Sequence, residues 1–311
     1  QSLVSGFWSL ASQMTYDFLD SDLLSKLGAL PVESRVPMMG SMAGRHRSPH
    51  RGSSVEFAEY RKYVPGDDTR RLDWKAYARS DRYYIKEFEA DTNLRAYFVV
   101  DASGSMDFAG KGESKVSFAR RIAASLSYLL VNQGDAAGLS VCTEKLHLEV
   151  PPSRRPAHLQ RIFETLRTLE PEGETGLVPA LHQIAEKIGQ RAFVVILSDL
   201  FTEPDGFADA LQHLRYRKHD ISVFHLMDPQ ELVFEFERPH RFVDMEDGTS
   251  VVVEPTLVVD EYHQALNEFM AAVKAKCHDA NADYQLVPTD TDLEPLLREF
   301  LTARLPKKGG K

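Results

Sequence analysis

The chain has 311 residues, of which 43% are hydrophobic and 27% are charged, and its net charge at pH 7 is −9. This composition is typical of a globular protein, and the negative charge argues against general nucleic-acid binding, which draws most of its affinity from neutralising phosphates. The sequence has no apolar run of about 18 residues, so we expect no transmembrane helix and no stable membrane insertion. The two cysteines, Cys142 and Cys277, are far apart, which fits a reducing cytoplasm better than a disulfide framework or a zinc site.

The first 91 residues predict two small regions. The apolar spacing over residues 17–30 predicts a short amphipathic helix, within an N-terminal helix-and-loop segment that spans residues 1–50. Residues 51–91 contain two partly alternating stretches separated by a turn at residues 65–68, which predicts a small β-containing lobe. This lobe is rich in Arg and Lys but also in Asp and Glu, so we expect paired surface charges rather than a basic patch.

From residue 94 the hydrophobic pattern alternates between strands and helices. Strands are predicted at residues 96–100, 136–142, 145–150, 193–197, 221–227 and 284–287, and helices at 115–131, 157–169, 177–188, 207–214, 260–276 and 293–305. This alternation predicts an α/β domain over residues 92–305, with a doubly wound, mostly parallel sheet flanked by helices. A β-hairpin insertion is expected near residues 241–255, around Asp247-Gly248, and residues 306–311 are expected to be disordered.

The first strand of this domain ends in a group of oxygen-bearing side chains. Asp101, Ser103 and Ser105 follow the apolar run directly, at the carboxyl end of a strand, where open α/β sheets bind ligands. Oxygen donors with no nearby His or Cys suit Mg²⁺, or Mn²⁺, far better than zinc. By itself, the stretch from Asp101 to Ser105 favours an Asx-turn before the next helix over a metal site, because Asp and Ser favour turns and caps.

Two further donors are predicted at the same edge of the sheet. Asp199 follows the strand at 193–197, and Thr175 precedes the helix at 177–188, although either residue by itself could be a simple cap. Because the carboxyl ends of neighbouring parallel strands share one crevice, all five donors are expected to converge.

In their order and spacing, these five residues resemble the metal-ion-dependent adhesion site of von Willebrand factor A domains. By that resemblance, Ser103 and Ser105 would coordinate Mg²⁺ directly, and Thr175 would do so directly or through water. Asp101 and Asp199 would hold coordinated waters and supply negative charge. The resemblance also implies that one coordination position is kept for a Glu or Asp side chain of a protein partner.

The segment before this domain resembles the signature region of domain of unknown function 58. The resemblance is carried by Arg51-Gly52, Glu56-Phe57, Arg61, Tyr63, Pro65-Gly66-Asp67, Arg70, Asp73-Trp74, Ala78-Arg79 and Lys86-Glu87-Phe88. Together with the five donors it covers roughly residues 44–301 and implies a bacterial protein with a von Willebrand A-like domain and a MoxR-type AAA+ ATPase as partner. Two features depart from the family: long members carry amino-terminal transmembrane helices, and many members read Gly-Gly-Thr where this chain has Gly173-Glu174-Thr175.

The sequence favours a cytoplasmic, non-enzymatic, Mg²⁺-dependent protein-interaction module, acting as an adaptor or co-chaperone of such an ATPase. The alternative is a metal-dependent hydrolase or phosphatase that uses the same crevice. Against it, the sequence has no Asp-x-Asp at the strand end, no Gly-x-Ser-x-Gly elbow and no P-loop, and His147 and His182 are predicted away from the crevice. Nucleic-acid binding through the Arg-rich residues 45–82 is disfavoured by the acidic total charge.

Overall fold

The structure is a computed structural model that describes residues 16–35, 46–47, 56–62, 77, 83–89, 91–92, 94–144, 146–236, 238–246 and 248–305. The chain divides into two compact units, one made of Gln1–Val36 together with Arg95–Lys311, and the other of Pro37–Leu94. The predicted turn at residues 65–68 and the predicted disordered tail at residues 306–311 lie outside the described residues.

In its described residues, the smaller unit contains four short strands: β1 (His46–Arg47), β2 (Glu56–Lys62), β3 (Tyr84–Glu89) and β4 (Asp91–Thr92). β1 pairs antiparallel with β4, and β2 pairs antiparallel with β3. The β2–β3 register shifts between Phe57 and Glu59, which marks a bulge. The sequence predicted a small β-containing lobe at residues 51–91, and the unit that holds these strands spans Pro37–Leu94.

The larger unit alternates strands with helices over most of its length. In chain order its elements are α1 (Ser21–Leu27), β5 (Arg95–Asp101), a 3-10 turn (Gly104–Asp107), α2 (Lys115–Asn132), β6 (Ala136–Cys142), β7 (Leu146–Ser153), α3 (Pro156–Arg167), α4 (Leu177–Lys187), β8 (Phe193–Ser198), α5 (Pro204–Tyr216), β9 (Asp220–Met227), α6 (Pro229–Val233), β10 (His240–Val243), β11 (Ser250–Val253), α7 (Pro255–Asp279), β12 (Asp283–Pro288) and α8 (Leu293–Ala303). Within the described ranges, every helix is too short or too polar to cross a bilayer.

Six strands form one sheet in the order β12-β9-β8-β5-β6-β7. All neighbours are parallel except β6 and β7, which pair antiparallel at one edge. Taken in chain order, this is the doubly wound arrangement in which the winding direction reverses between the first and fourth strands, here β5 and β8. The predicted α/β fold class is therefore confirmed, and the point of reversal is the pair of strands that end in Asp101 and Ser198.

The sheet is buried on both faces because its central strands are continuous apolar runs. Phe98, Val99 and Val100 of β5 are fully buried. On one face, α4, α5 and α7 pack their apolar residues around Val194 and Ile196 of β8. On the other face, α2 contacts β5 and β6, with α1 and α3 beside it.

The N-terminal segment is hydrogen-bonded to the sheet unit. The side-chain amide of Gln133, at the end of α2, accepts from the Val32 N–H (3.0 Å) and donates to the Leu30 carbonyl (2.8 Å). Asp220 at the start of β9 accepts from the Ser34 hydroxyl (2.7 Å) and the Arg35 N–H (2.8 Å). The described residues 16–35 therefore pack on the α/β unit.

Two helices of the sheet unit differ from the sequence prediction. α6 is five residues long, too short for a helical period, and is held by a capping box between Asp228 and Glu231. α7 begins at Pro255 rather than at residue 260, with Pro in its first turn. The antiparallel pair β10–β11 lies where the sequence predicted a hairpin, and its register joins Val243 to Ser250.

Candidate metal centre

The site lies at the carboxyl ends of β5 and β8. Val100 and Leu197 are partners in the parallel register of these strands, so the residues that follow them leave the sheet side by side. Asp101 and Asp199 are both 1% exposed, and each is close enough to the other for its charge to matter. Two buried carboxylates thus occupy the crevice where ligands bind in open α/β sheets.

Asp101 is the centre of a hydrogen-bonded cluster. Its Oδ1 accepts from the backbone N–H of Ser103 at 3.0 Å. Its Oδ2 accepts from the hydroxyls of Ser198 (2.6 Å) and Thr175 (3.2 Å). The structure therefore brings Thr175, from a distant loop, to the strand-end carboxylate, and it adds Ser198, which the sequence reasoning did not single out.

The two serines of the strand-end motif lie against each other. The Ser103 and Ser105 hydroxyl oxygens are 3.2 Å apart, with Ser103 buried and Ser105 half-buried. Ser105 lies in the 3-10 turn Gly104–Asp107, and Ser103 precedes that turn and contacts Asp101 through its N–H. Two adjacent hydroxyl oxygens beside a carboxylate are a donor set of the kind that hard cations accept.

Backbone contacts hold the Thr175 loop in place. The Glu172 N–H donates to the Ala102 carbonyl (3.0 Å), and the Gly104 N–H donates to the Gly173 carbonyl (2.9 Å). A Cβ on Gly176 would lie 1.9 Å from the carbonyl oxygen of Thr143, so only glycine fits there. Glu174 does not keep Thr175 from Asp101.

Lys115, the first residue of α2, contacts the candidate site and was not singled out from the sequence. Its side chain is 0% exposed, and its ammonium lies 2.8 Å from Asp199 Oδ2 and 2.7 Å from Glu231 Oε1. Burial alone would lower the pKa of Lys115, but the charges of both carboxylates and the hydrogen bonds to them raise it. The sequence did contain a signal: Lys115 precedes Ala119 by four positions and Ile122 by seven, which places this lysine on the buried face of the helix.

The β10–β11 hairpin places a third carboxylate at the site. A Cβ on Gly104 would lie 2.2 Å from the carbonyl oxygen of Met245, so the hairpin tip rests directly on the strand-end loop. Glu246 Oε1 is buried and has no hydrogen-bond partner among the described residues. Burial raises the pKa of Glu246, the charges of Asp199, Asp244 and Asp101 raise it further, and a hydrogen bond from Ser105 opposes the rise.

The electrostatics of the site fit a divalent cation. Burial, followed by repulsion from Asp199, raises the pKa of Asp101 to about 6, against the hydrogen bonds from Ser198 and Ser103. The buried ammonium of Lys115 pairs with Asp199 and Glu231, whereas the charges that raise the pKa values of Asp101 and Glu246 are those of neighbouring carboxylates. A hard cation would relieve this repulsion, and hydroxyl and carboxylate oxygens are the ligands that Mg²⁺ accepts.

The donor set is not a carboxylate cage. In the described part of the chain, no group of three or more His, Cys, Asp or Glu side chains is close enough to hold a metal ion by itself. A cation here would therefore rely on Ser103, Ser105 and Thr175, with the carboxylates acting at greater distance through water. Mg²⁺ tolerates this arrangement because it retains several of its waters when bound.

His182, considered above for hydrolysis, lies away from the crevice. Its Nδ1 is 3.0 Å from Nδ1 of His213, between α4 and α5. The side chain of His147 lies outside the described residues.

The sequence matches one family and several curated relatives. Residues 59–275 match the family model described as "Protein of unknown function DUF58". The uncharacterized proteins Rv1480 of Mycobacterium tuberculosis and Mb1516 of Mycobacterium bovis are each 26% identical over 298 residues, which cover 94% of this chain and 93% of theirs. The match to the family model thus extends from β2 into α7.

Solved structures with a similar fold include BatB from Bacteroides thetaiotaomicron (TM-score 0.47, 13% identical, covering 68% of this chain and 98% of that chain). An aerotolerance-related membrane protein from Bacteroides fragilis gives a TM-score of 0.45 at 13% identity, with the same coverage. The SpRpn10 VWA domain gives 0.40 at 11% identity, covering 67% of this chain and 95% of that chain. The fold class itself rests on the strand order described above.

Proposed function

The chain belongs to the DUF58 family, and from that premise we propose that it is a non-enzymatic protein-interaction module whose binding depends on Mg²⁺. The observation that most supports this proposal is the convergence of Asp101, Ser103, Ser105 and Thr175 in one cluster. This cluster occupies the strand-end crevice beside Asp199, at the point where the sheet reverses its winding.

Each side chain has a distinct role in this proposal. The hydroxyls of Ser103, Ser105 and Thr175 offer lone pairs to the cation. Asp101 and Asp199 would accept hydrogen bonds from the water molecules bound to the cation. Mg²⁺, when bound, supplies an electrophilic position that can accept a Glu or Asp side chain from another protein.

The two carboxylates are held by different residues. Ser198 donates to Asp101 Oδ2, and Lys115 donates to Asp199 Oδ2, each at less than 3 Å. A carboxylate whose second oxygen is fixed in this way has a defined direction for its remaining lone pairs. This preorganisation supports a role in orienting waters rather than in direct chelation.

The partner that the family resemblance implies is a MoxR-type AAA+ ATPase, for which this protein would act as a cytoplasmic adaptor or co-chaperone. The charge balance agrees with a metal-bridged contact. The chain carries a net charge of −9, so an acidic side chain of a partner would be repelled unless a cation neutralises the docking point. Both cysteines are buried and free, which is consistent with a reducing compartment.

Affinity capture from the cytosol of the source organism tests this function. Wild-type protein, Ser103→Ala and the control Ser127→Ala, a buried serine of α2 outside the site, are compared in Mg²⁺ and in EDTA. We expect one or more proteins to be retained by the wild type and the control in Mg²⁺ only, and to be lost by Ser103→Ala. If every captured protein is retained equally in EDTA and by Ser103→Ala, the proposed function is wrong.

A further inference from the structure

We infer that Glu246, at the tip of the β10–β11 hairpin, is an internal acidic ligand of the candidate metal centre. Its carboxylate takes the coordination position that the site otherwise offers to a partner, so the partner's acid must displace it. This inference rests on the proposed function and assigns a role to the hairpin, which is an insertion between β9 and the last parallel strand of the sheet, β12.

The backbone contact between the hairpin tip and the site is close. The Met245 carbonyl oxygen occupies the space next to Gly104 where any other residue would carry its Cβ, at 2.2 Å. Gly104 lies between the two serines whose hydroxyls would bind the cation. The absence of a side chain at position 104 therefore lets residue 246 reach the donor cluster.

The carboxylate of Glu246 is placed as a metal ligand would be. Oε1 is buried with no hydrogen-bond partner in the part of the chain that the structure describes, while the carboxylate interacts with the Ser105 side chain. The charges of Asp101 and Asp199 reach the same group. A buried carboxylate oxygen that has no hydrogen-bond partner and feels the charge of two other carboxylates is unfavourable unless a cation offsets that charge.

The hairpin has few packing contacts, so its tip can move away from the candidate metal centre. Each strand is four residues long, and Val243, Val251 and Val252 are 53%, 58% and 73% exposed. A two-stranded ribbon with so little packing is marginally stable by itself. Segments of low local stability are the ones that open in exchange for a ligand.

Strand β10 of the hairpin is anchored by aromatic contacts. The ring of Phe242 on β10 stacks on Phe234 at 5.6 Å between centroids, and Phe234 also stacks on Tyr262 of α7 at 4.1 Å. Phe236 contacts the ring of Phe242 edge-on at 5.1 Å. The tip beyond Phe242 can therefore move and withdraw Glu246 while β10 stays attached to this aromatic cluster.

Mn²⁺ serves as the probe, because water-proton relaxation reports both its affinity and the number of waters it keeps. Wild type is compared with Glu246→Gln and with the control Glu254→Gln, which removes the same charge from an exposed position at the end of β11. We expect Glu246→Gln to bind Mn²⁺ about tenfold more weakly and to leave one more exchanging water on the bound ion. The control should match the wild type in both respects.

Acetate then tests the competition directly. Added acetate should displace a Mn²⁺-bound water from Glu246→Gln at a concentration about tenfold lower than from the wild type, because no internal carboxylate competes. If Ser103→Ala weakens Mn²⁺ binding but Glu246→Gln equals the wild type in affinity, hydration and acetate response, only the inference about Glu246 is overturned. If the wild type binds no Mn²⁺, or Ser103→Ala binds it equally, the metal site fails and the inference fails with it.

Discussion

The ion pair between Lys115 and Asp199 shows how single residues set the properties of the site. A fully buried ammonium with two carboxylate partners is stable only because both partners are present, since each charge has lost its water. Lys115 thereby fixes Asp199 and neutralises part of its charge. The rings of Phe201 and Phe108, 4.9 and 5.8 Å from Nζ, complete its surroundings.

Replacing Lys115 with Met should lower the free energy of unfolding by roughly 3 kcal/mol, because Asp199 and Glu231 are left buried without a counter-ion. Urea unfolding at neutral pH in EDTA measures the change. Lys274→Met, at an exposed position of α7, is the control and should change stability little. A loss for Lys115→Met no greater than that of the control would show that this ion pair does not stabilise the fold.

Some residues of the site are close together in the sequence, and others join it only through tertiary contacts. Asp101, Ser103 and Ser105 are adjacent in sequence, so a strand-end pattern was enough to predict that they lie together. Lys115 and Glu246 gave no such signal. Each joins the site through tertiary contacts: a helix packed on the sheet in one case, and a hairpin folded over a glycine in the other.

At the scale of elements, the joint between α5 and β9 depends on a buried neutral histidine. His219 is 5% exposed, and its Nδ1 accepts a hydrogen bond from the Ala192 N–H (3.1 Å), just before β8. Burial, with smaller contributions from Arg217 and His213, lowers the pKa of His219 to about 4. A proton on Nδ1 would abolish this hydrogen bond, which links the residues just before β8 and β9. The folded state therefore disfavours the protonated form of His219.

Stability should therefore fall as the pH falls from about 6.5 to about 4. In that window the unfolded chain binds a proton at residue 219 that the folded chain does not, and the loss attributable to this residue is roughly 2 kcal/mol. In His219→Asn, whose side-chain oxygen can still accept from Ala192, this part of the pH dependence should disappear. Urea unfolding at pH 7 and pH 4.5 measures it, with the exposed His278→Asn as control. Identical pH dependence in wild type and His219→Asn would refute the assignment.

At the scale of the whole molecule, the sheet was predictable because its strands are continuous apolar runs and its helices keep a regular apolar period. The alternation of the two predicts parallel strands joined by crossovers, and the strand order places the ends of β5 and β8 together. The short helix α6 could not be predicted, since five residues carry no period. The position of the hairpin over the crevice could not be predicted either, because it depends on contacts with residues distant in the sequence, such as Gly104.

The central claim is that this crevice binds Mg²⁺ through the Asp101 cluster, and calorimetric titration of Mg²⁺ tests it most directly. Wild type is compared with Asp101→Asn and with Asp209→Asn, a control at an exposed position of α5. Since the pKa of Asp101 is raised to about 6, its ionised carboxylate destabilises the metal-free fold above that pH, and Asp101→Asn should be at least as stable as the wild type in EDTA.

We predict that the wild type and Asp209→Asn each bind one Mg²⁺ per chain with equal affinity. Asp101→Asn, although folded, should bind it at least about tenfold more weakly, because the neutral amide can no longer offset the charge of the cation. Equal Mg²⁺ affinity in wild type and Asp101→Asn, or no binding by the wild type, would contradict the account.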